Sequence, residues 1–219
     1  MQPSNWQILV LKPTPAFLTF LSTQFNDAKI PEYRMLQTDN TAYVFPHQNS
    51  EEEFLDEIEA KYVNMFRHEI KRWLGEGQIA KDINASFLDF LCCFKFEVHT
   101  HLVLMEESLL DGNQMICIKP RTAMMKLIQD KLSSLNYGDD LVTQQEITQW
   151  QENGTVIVKN LPSVYDLRPF LRLQYYNLYE TEMLRMCSDV TEIWPEVESY
   201  QMFCRYFVVE YHSQLLHLV

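Results

Sequence analysis

The feature that most constrains the fold is a polar and aromatic pattern that occurs twice in the chain. Residues 62–72 read YVNMFRHEIKR and residues 175–185 read YYNLYETEMLR, so that Tyr, Asn, Glu and Arg recur in the same order and at the same spacing. Two unrelated amphipathic helices would share apolar positions, but that similarity does not explain matched polar residues. The pattern therefore predicts two structurally related halves.

Further pairs of segments match in the same order along the two halves. QILVLKPTPAF (7–17) aligns with QMICIKPRTAM (114–124), and SFLDFLCCFKFEVHT (86–100) aligns with SYQMFCRYFVVEYHS (199–213). Ser50 and Ser163 are each followed, three residues later, by an acidic residue, which is the spacing of a capping box at the start of a helix. We interpret the chain as a tandem duplication whose repeat units, 1–110 and 111–219, pack together as one globular body.

Each repeat unit is predicted to fold as β-α-β-α-α. Short apolar runs at 7–11 and 115–118 are typical of buried strands, and a helix follows each of them near a proline. Second strands are predicted at 41–45 and 155–159, each before a long helix with one apolar face. The predicted fold class is α+β, with a pseudo-twofold arrangement and a four-stranded sheet covered by helices.

The last element of each unit is ambiguous. Residues 94–104, FKFEVHTHLVL, alternate between apolar and polar side chains as a strand does. The positions shared with the second half, Ser86, Phe90 and Phe94, instead recur at a helical step of four. We predict a helix over 86–105, with a strand as the alternative.

Charge and composition exclude several classes of partner. The chain has 18 basic and 30 acidic residues and a net charge of -12, which repels phosphate backbones. We expect no nucleic-acid partner. No run approaches the roughly 20 apolar residues of a membrane span, and the N-terminal sequence lacks the basic segment of a signal peptide, so no direct membrane insertion is expected. Five cysteines without a C-x-x-C pair are typical of reduced thiols in a cytoplasmic protein.

The strongest catalytic candidate combines Cys92 or Cys93 as a nucleophile with His99 or His101 as a base. On a helix Cys92 and His99 would lie two turns apart, too far for a direct hydrogen bond. The His99-x-His101 pair has no carboxylate or cysteine at a recognisable zinc spacing, and no glycine-rich phosphate loop is present. We therefore predict no catalytic residue, no metal and no cofactor.

Aromatic residues are concentrated in the second half. Tyr165, Tyr175, Tyr176 and Tyr179 cover more than one side of a predicted helix, so that some of them face outward. Tyrosine is enriched at protein interfaces, and an acidic surface complements a basic partner. We predict that these four tyrosines contribute to a protein-binding surface.

In size, acidity and general character over its whole length, the sequence resembles the small acidic adaptors and chaperones of bacterial secretion systems. Among these it resembles the acidic adaptor subunits of type IVB (Dot/Icm) coupling complexes. No diagnostic motif carries the resemblance, so no binding residue follows from it. It implies a non-catalytic protein of the bacterial cytoplasm that binds an adaptor subunit or an effector segment and helps present effectors to the secretion channel. The alternative is a secreted bacterial effector enzyme that uses Cys93 and His99.

Overall fold

The computed structural model describes residues 5–26, 28–76, 83, 85–105, 113–134, 148–150, 152–187 and 190–218. The strands are β1 (Trp6–Pro13), β2 (Thr41–Pro46), β3 (Phe94–His99), β4 (Leu102–Leu104), β5 (Gln114–Pro120), β6 (Thr155–Lys159), β7 (Phe207–His212) and β8 (Leu215–His217). The helices are α1 (Pro15–Gln24), α2 (Tyr33–Leu36), α3 (Glu51–Leu74), α4 (Phe87–Cys93), α5 (Thr122–Ser134), α6 (Leu167–Cys187) and α7 (Tyr200–Tyr206). Short 3-10 helices span Val164–Asp166 and Thr191–Ile193.

The strands form two four-stranded sheets, so the fold class is α+β. The first sheet has the order β3-β1-β2-β8, and the second has the order β7-β5-β6-β4. In each sheet the central pair is antiparallel, and a three-residue strand is added in parallel to its edge. Ala42 of β2 pairs with Leu215 of β8, and Val156 of β6 pairs with Leu102 of β4. The predicted single four-stranded sheet is wrong, because each half of the sequence supplies three strands to one sheet and one strand to the other.

The contacts between residues divide the described chain into two compact units. The first unit contains residues 5–98 and 212–218, and the second contains 99–105 and 113–211. The chain thus leaves the first unit after β3 and supplies β4 to the second sheet. It returns after β7 and supplies β8 to the first sheet. The compact units therefore differ from the predicted repeat units by an exchange of their final strands.

In the first unit a set of hydrogen bonds holds the chain where β8 begins. His212 Nδ1–H donates to the carbonyl oxygen of Asn40 at 3.0 Å. The backbone N–H and the hydroxyl of Ser213 donate to the carboxylate of Asp39 at 2.9 and 2.5 Å. Ala42 N–H then donates to the Gln214 carbonyl at 3.0 Å. We call Asp39, Asn40, His212 and Ser213 the first anchor.

The second unit has a corresponding set where β4 begins. His99 Nδ1–H donates to the carbonyl oxygen of Gly154 at 3.2 Å, and Thr100 N–H donates to Asn153 Oδ1 at 3.1 Å. Asn153 Nδ2 donates back to the Thr100 hydroxyl at 3.0 Å. Val156 N–H donates to the His101 carbonyl at 2.9 Å. We call Asn153, Gly154, His99 and Thr100 the second anchor.

The long helix α3 follows the sequence prediction closely. Its N-cap is Ser50, whose hydroxyl accepts from Glu53 N–H at 3.1 Å, and it ends before Gly75, whose φ of +84° is accessible to glycine. The capping box predicted at Ser163 forms a 3-10 helix instead, because its hydroxyl accepts from Tyr165 N–H rather than from a residue further on. The α6 helix begins after that turn.

The predicted helix over 86–105 is wrong beyond its first two turns. Ser86 and Asp89 form a capping box at the start of α4, with Asp89 N–H to Ser86 Oγ at 3.2 Å and Ser86 N–H to Asp89 Oδ2 at 2.8 Å. The helical step of four ends at Phe94. From that residue the alternation of side chains prevails, and the backbone continues as β3 and β4.

The glutamates of the repeated helical pattern are buried and join each long helix to its sheet. In the second unit Glu182 is fully buried, and its Oε2 accepts from the N–H and the hydroxyl of Thr155 at 3.1 and 2.5 Å. Arg185 Nη2 pairs with Glu182 Oε1 at 2.5 Å. In the first unit Glu69 accepts from the Tyr43 hydroxyl at 2.9 Å. These contacts fix α6 on β6 and α3 on β2.

Replacement of Glu182 by alanine is expected to lower the free energy of unfolding by about 3 kcal/mol. The change leaves the largely buried Arg185 guanidinium and the Thr155 N–H without their acceptor, and an uncompensated buried charge is costly. Chemical denaturation checks this. The control Glu192→Ala removes an exposed carboxylate and should change stability by less than about 0.5 kcal/mol. Equal losses in the two variants would show that Glu182 does not support the fold.

The two anchors are expected to loosen independently. Asp39→Ala removes the acceptor of two Ser213 bonds, so the exchange of the Ala42 amide should accelerate about tenfold while that of Val156 is unchanged. Asn153→Ala should produce the reverse pattern. Native-state hydrogen exchange followed by NMR measures both amides in each variant, so each variant is the control for the other. Acceleration of both amides by either variant would contradict separate anchors.

Candidate functional site

A groove lies in the second unit between α6 and the segment that follows it. It has a volume of about 300 Å³ and is lined by Tyr176 and Tyr179 of α6 and by residues 194–198. We call it the aromatic groove because three of its lining residues are Tyr176, Tyr179 and Trp194. It is the candidate site because it joins exposed aromatic surface to carboxylates.

The outer wall of the groove follows from an alternating sequence. Ile193, Pro195 and Val197 are buried, whereas Glu196 and Glu198 are exposed. In an extended chain, successive side chains point to opposite sides, so the apolar residues pack on the core and both carboxylates face solvent. The wall therefore presents acidic side chains at the rim of the groove.

Hydrogen bonds to backbone carbonyl oxygens hold this wall in place. The Tyr179 hydroxyl donates to the Pro195 carbonyl. The Tyr175 hydroxyl donates to the Glu198 carbonyl at 3.2 Å, and Lys131 Nζ donates to the Trp194 carbonyl at 2.7 Å. The shape of the groove is thus fixed by side chains from α5 and α6, which leaves the carboxylates of the wall available at its rim.

The three aromatic rings have different orientations. The ring centroid of Tyr179 lies 6.1 Å from that of Tyr176, with the planes inclined by 52°. It lies 6.3 Å from that of Trp194, with the planes at 83°. Tyr176 is 51% exposed, whereas Tyr179 is buried. One ring therefore projects into solvent beside a buried floor.

The electrostatic environment of the groove is negative. Burial is the main cause of the raised pKa of Tyr179, and smaller contributions come from neighbours that include the carboxylates of Glu180 and Glu196. The phenol consequently stays protonated at neutral pH and remains a donor to Pro195. The same carboxylates favour a cation in the groove over an anion.

The structure gives the four predicted tyrosines different places. Tyr176 and Tyr179 line the aromatic groove, and Tyr175 is half-buried behind it against Tyr200. Tyr165 is 87% exposed in the turn before α6, roughly 15 Å from Tyr176 by the rise of a helix. A role for these four residues in protein binding stays a prediction.

Sequence reasoning missed the other side of the groove. Trp194, Glu196 and Glu198 were not among the predicted site residues. The signal that identifies the two glutamates is the alternation of apolar and acidic residues in PEVE, 195–198, which is typical of a half-buried segment.

Exposed apolar side chains continue along α6 beside the groove. Leu173 is 79% exposed and Leu184 is 43% exposed, and with Tyr176 they lie on one side of the helix. Exposed apolar side chains that share one helix face are common at interaction sites. The groove and this stripe together form one candidate surface on the second unit.

The proposed thiol and imidazole are not brought together. Burial raises the pKa of the Cys93 thiol to about 12, so the thiol is protonated at neutral pH. Cys93 ends α4 and His99 ends β3, which separates them by roughly 20 Å at the rise of a strand. The exposed thiol of the pair is Cys92. Cys93 and His99 therefore lack the geometry of a nucleophile and its base.

The histidines considered as ligands take part in structural contacts. His99 belongs to the second anchor, and Cys117 Sγ lies 3.8 Å from both of its ring nitrogens. Both residues are fully buried, so a substrate does not reach them. In the first unit His212 belongs to the first anchor, and the His217 ring packs edge-on against Trp6 at 5.4 Å.

Comparison with known proteins gives no relative. No protein-family model, no curated protein and no solved structure matches the chain. Separately, no helix within the described residues has the length and apolar character needed to cross a membrane.

Alkylation is expected to distinguish the thiols by burial. At pH 8 iodoacetamide should modify the exposed Cys92 and Cys204 rapidly and leave Cys93, Cys117 and Cys187 unmodified, since burial raises the pKa of both Cys93 and Cys187 to about 12. Peptide mass spectrometry follows each site. The Cys92→Ser variant is the control, because it should lose one rapid adduct and no other. Modification of Cys93 as fast as Cys92 would contradict this account and favour an activated thiol.

Proposed function

We propose that the chain is a non-catalytic adaptor or chaperone that captures a segment of another protein on the surface formed by the aromatic groove and the exposed side of α6. The observation that carries the proposal is the combination of an exposed aromatic ring, a buried aromatic floor and an acidic rim within one pre-formed groove. Such grooves bind extended or helical segments by burying a few anchor side chains.

The physical advantage of this surface lies in its rigidity. Tyrosine and tryptophan give large contact area at a small cost in conformational entropy. The hydroxyls of Tyr175 and Tyr179 already hold the wall of the groove before a partner arrives. A pre-organised groove loses little entropy on binding, so more of the contact energy remains as affinity.

The proposal extends to the setting of this binding. The acidic character of the chain and its general similarity to secretion adaptors support a protein of the bacterial cytoplasm that presents effectors to a type IV secretion system. Its partner is an adaptor subunit or a segment of an effector, with no nucleic acid and no direct insertion into a membrane. The buried, protonated thiol of Cys93 weighs against the alternative of an effector enzyme.

We also propose that the two halves arose by tandem duplication of one unit. Support comes from the matching strand orders and anchors of the two units. The Lys and Glu residues paired by the sequence alignment also form ion pairs, Lys12 with Glu97 at 2.6 Å and Lys119 with Glu210 at 2.9 Å. The stretch of the first half that aligns with Trp194 lies outside the described residues, so the groove is described in the second unit only.

Photo-crosslinking tests the proposed function. A photoreactive amino acid in place of Tyr176 should give one discrete adduct with a protein of the native cytosol, because this position is half-exposed beside the groove. The same amino acid in place of Leu88, which is 69% exposed on α4 of the first unit, is the control and should give no such adduct.

Two outcomes would contradict the proposal. The first is an identical set of adducts from both positions, which would indicate non-specific contact with apolar surface. The second is loss of the Tyr176 adduct when Cys92 and Cys93 are both replaced by serine, because a binding module does not need either thiol. That loss would favour the thiol enzyme.

A further inference from the structure

We propose that the aromatic groove accepts an arginine side chain presented by the partner segment. This inference rests on the proposed function and specifies the chemistry by which the segment is recognised. The occupant is a basic segment of another protein, with one arginine inserted between the aromatic rings and the acidic rim.

The first support comes from the rings. Tyr176, Tyr179 and Trp194 line one groove. The plane of the Tyr179 ring is inclined by 52° to that of Tyr176 and by 83° to that of Trp194. A cation placed over the face of Trp or Tyr is attracted by the ring quadrupole. Rings of different inclination give such a cation more than one face to contact.

The second support comes from the carboxylates. Glu196 and Glu198 are both exposed, and both line the groove. A planar guanidinium donates in two directions and matches carboxylate oxygens well. The rim therefore offers acceptors next to the aromatic floor.

Among the described residues, no basic side chain forms an ion pair with Glu196 or Glu198. Lys131 donates instead to the Trp194 carbonyl. Arg172 lies over the Tyr200 ring, with its guanidinium carbon 5.8 Å from the centroid, at the start of α7. Glu180 adds a further carboxylate beside Tyr179. The net charge of -12 on the whole chain also attracts a basic segment before contact.

Arginine fits these observations better than other side chains. Its guanidinium is weakly hydrated and stacks on aromatic faces, whereas the compact ammonium of lysine holds its water more strongly. An acidic occupant would meet like charge at Glu196 and Glu198. An uncharged apolar occupant would remove water from these carboxylates without offering them a donor.

Titration of the 219-residue chain with a minimal probe tests the inference. The probe is N-acetyl-arginine amide, and the matched control is N-acetyl-citrulline amide, which has the same shape without the charge. The NMR signal of the Trp194 indole N–H reports the groove, and the indoles of Trp6, Trp73 and Trp150 serve as internal references. We expect the arginine probe to shift the Trp194 signal saturably and the citrulline probe to bind at least about tenfold more weakly.

Variants at exposed positions localise the effect. The double variant Glu196→Gln/Glu198→Gln should weaken binding of the arginine probe about tenfold, and Tyr176→Ala should weaken it as well. Glu192→Gln removes an exposed carboxylate outside the groove and should leave binding unchanged. Unchanged amide spectra away from the groove verify that each variant is folded.

Three results would overturn the inference. They are equal binding of the arginine and citrulline probes, unchanged affinity in the double glutamine variant, and tighter binding of tetramethylammonium than of the arginine probe. The last result would assign the groove to small quaternary ammonium ligands. Crosslinking at position 176 without a response to arginine would leave the proposed function standing and remove only this inference. A response to arginine without a protein adduct at position 176 would support arginine binding in the groove and remove the proposed function.

Discussion

The fold depends on one constraint, which is that neither half of the sequence completes its own sheet. The edge of β2 is paired by β8, and the edge of β6 is paired by β4, although these partners come from the other half of the chain. Each exchanged strand has only three residues, so its backbone hydrogen bonds alone contribute little to the stability of the sheet. The anchors supply the missing specificity, because a buried histidine and an adjacent hydroxyl residue bind the turn that precedes the accepting strand. Covering the edge also removes a row of unpaired backbone groups that would otherwise invite association with other chains.

A series of contacts that begins at the second sheet positions the candidate site. The β6 strand is held by its neighbours, and Thr155 at its start donates twice to Glu182 of α6. The position of α6 then places Tyr175 and Tyr179, whose hydroxyls bind the extended segment that forms the wall of the groove. Because the contacts of Thr155 with Glu182 and of Tyr179 with Pro195 are buried, the groove has a defined shape without a ligand. The acidic rim remains outside this network and is available to a partner.

Local signals predicted most of the individual elements. The apolar runs predicted β1 and β5. The β-branched run TVIVK predicted β6 with its observed bounds. Ser50 predicted the start of α3, because a helix cap is a local property of the sequence. The assembly of these elements was not predictable in the same way. The contact of His212 with Asn40 joins residues 172 positions apart, and no periodicity within the sequence indicates which sheet a three-residue strand will enter.

The sequence indicated only some of the residues that line the aromatic groove, because the groove forms by packing between segments that are separated in the chain. The density of tyrosines drew attention to α6, but only the fold separates Tyr179, which is buried, from Tyr176, which is exposed. The residues opposite them, Trp194 to Glu198, belong to a segment whose role depends on packing against α6. The fold does not pair Cys93 with His99, because the chain changes from helix to strand at Phe94 and the strand carries His99 away from the buried thiol.

The exchange of final strands is the central claim, and cross-strand nuclear Overhauser effects between backbone protons test it most directly. The account predicts contacts of residues 215–217 with residues 42–44, and of residues 102–104 with residues 156–158, in parallel register. Contacts of 215–217 with 156–158, and of 102–104 with 42–44, would mean that each half retains its own strand. That result would contradict the account.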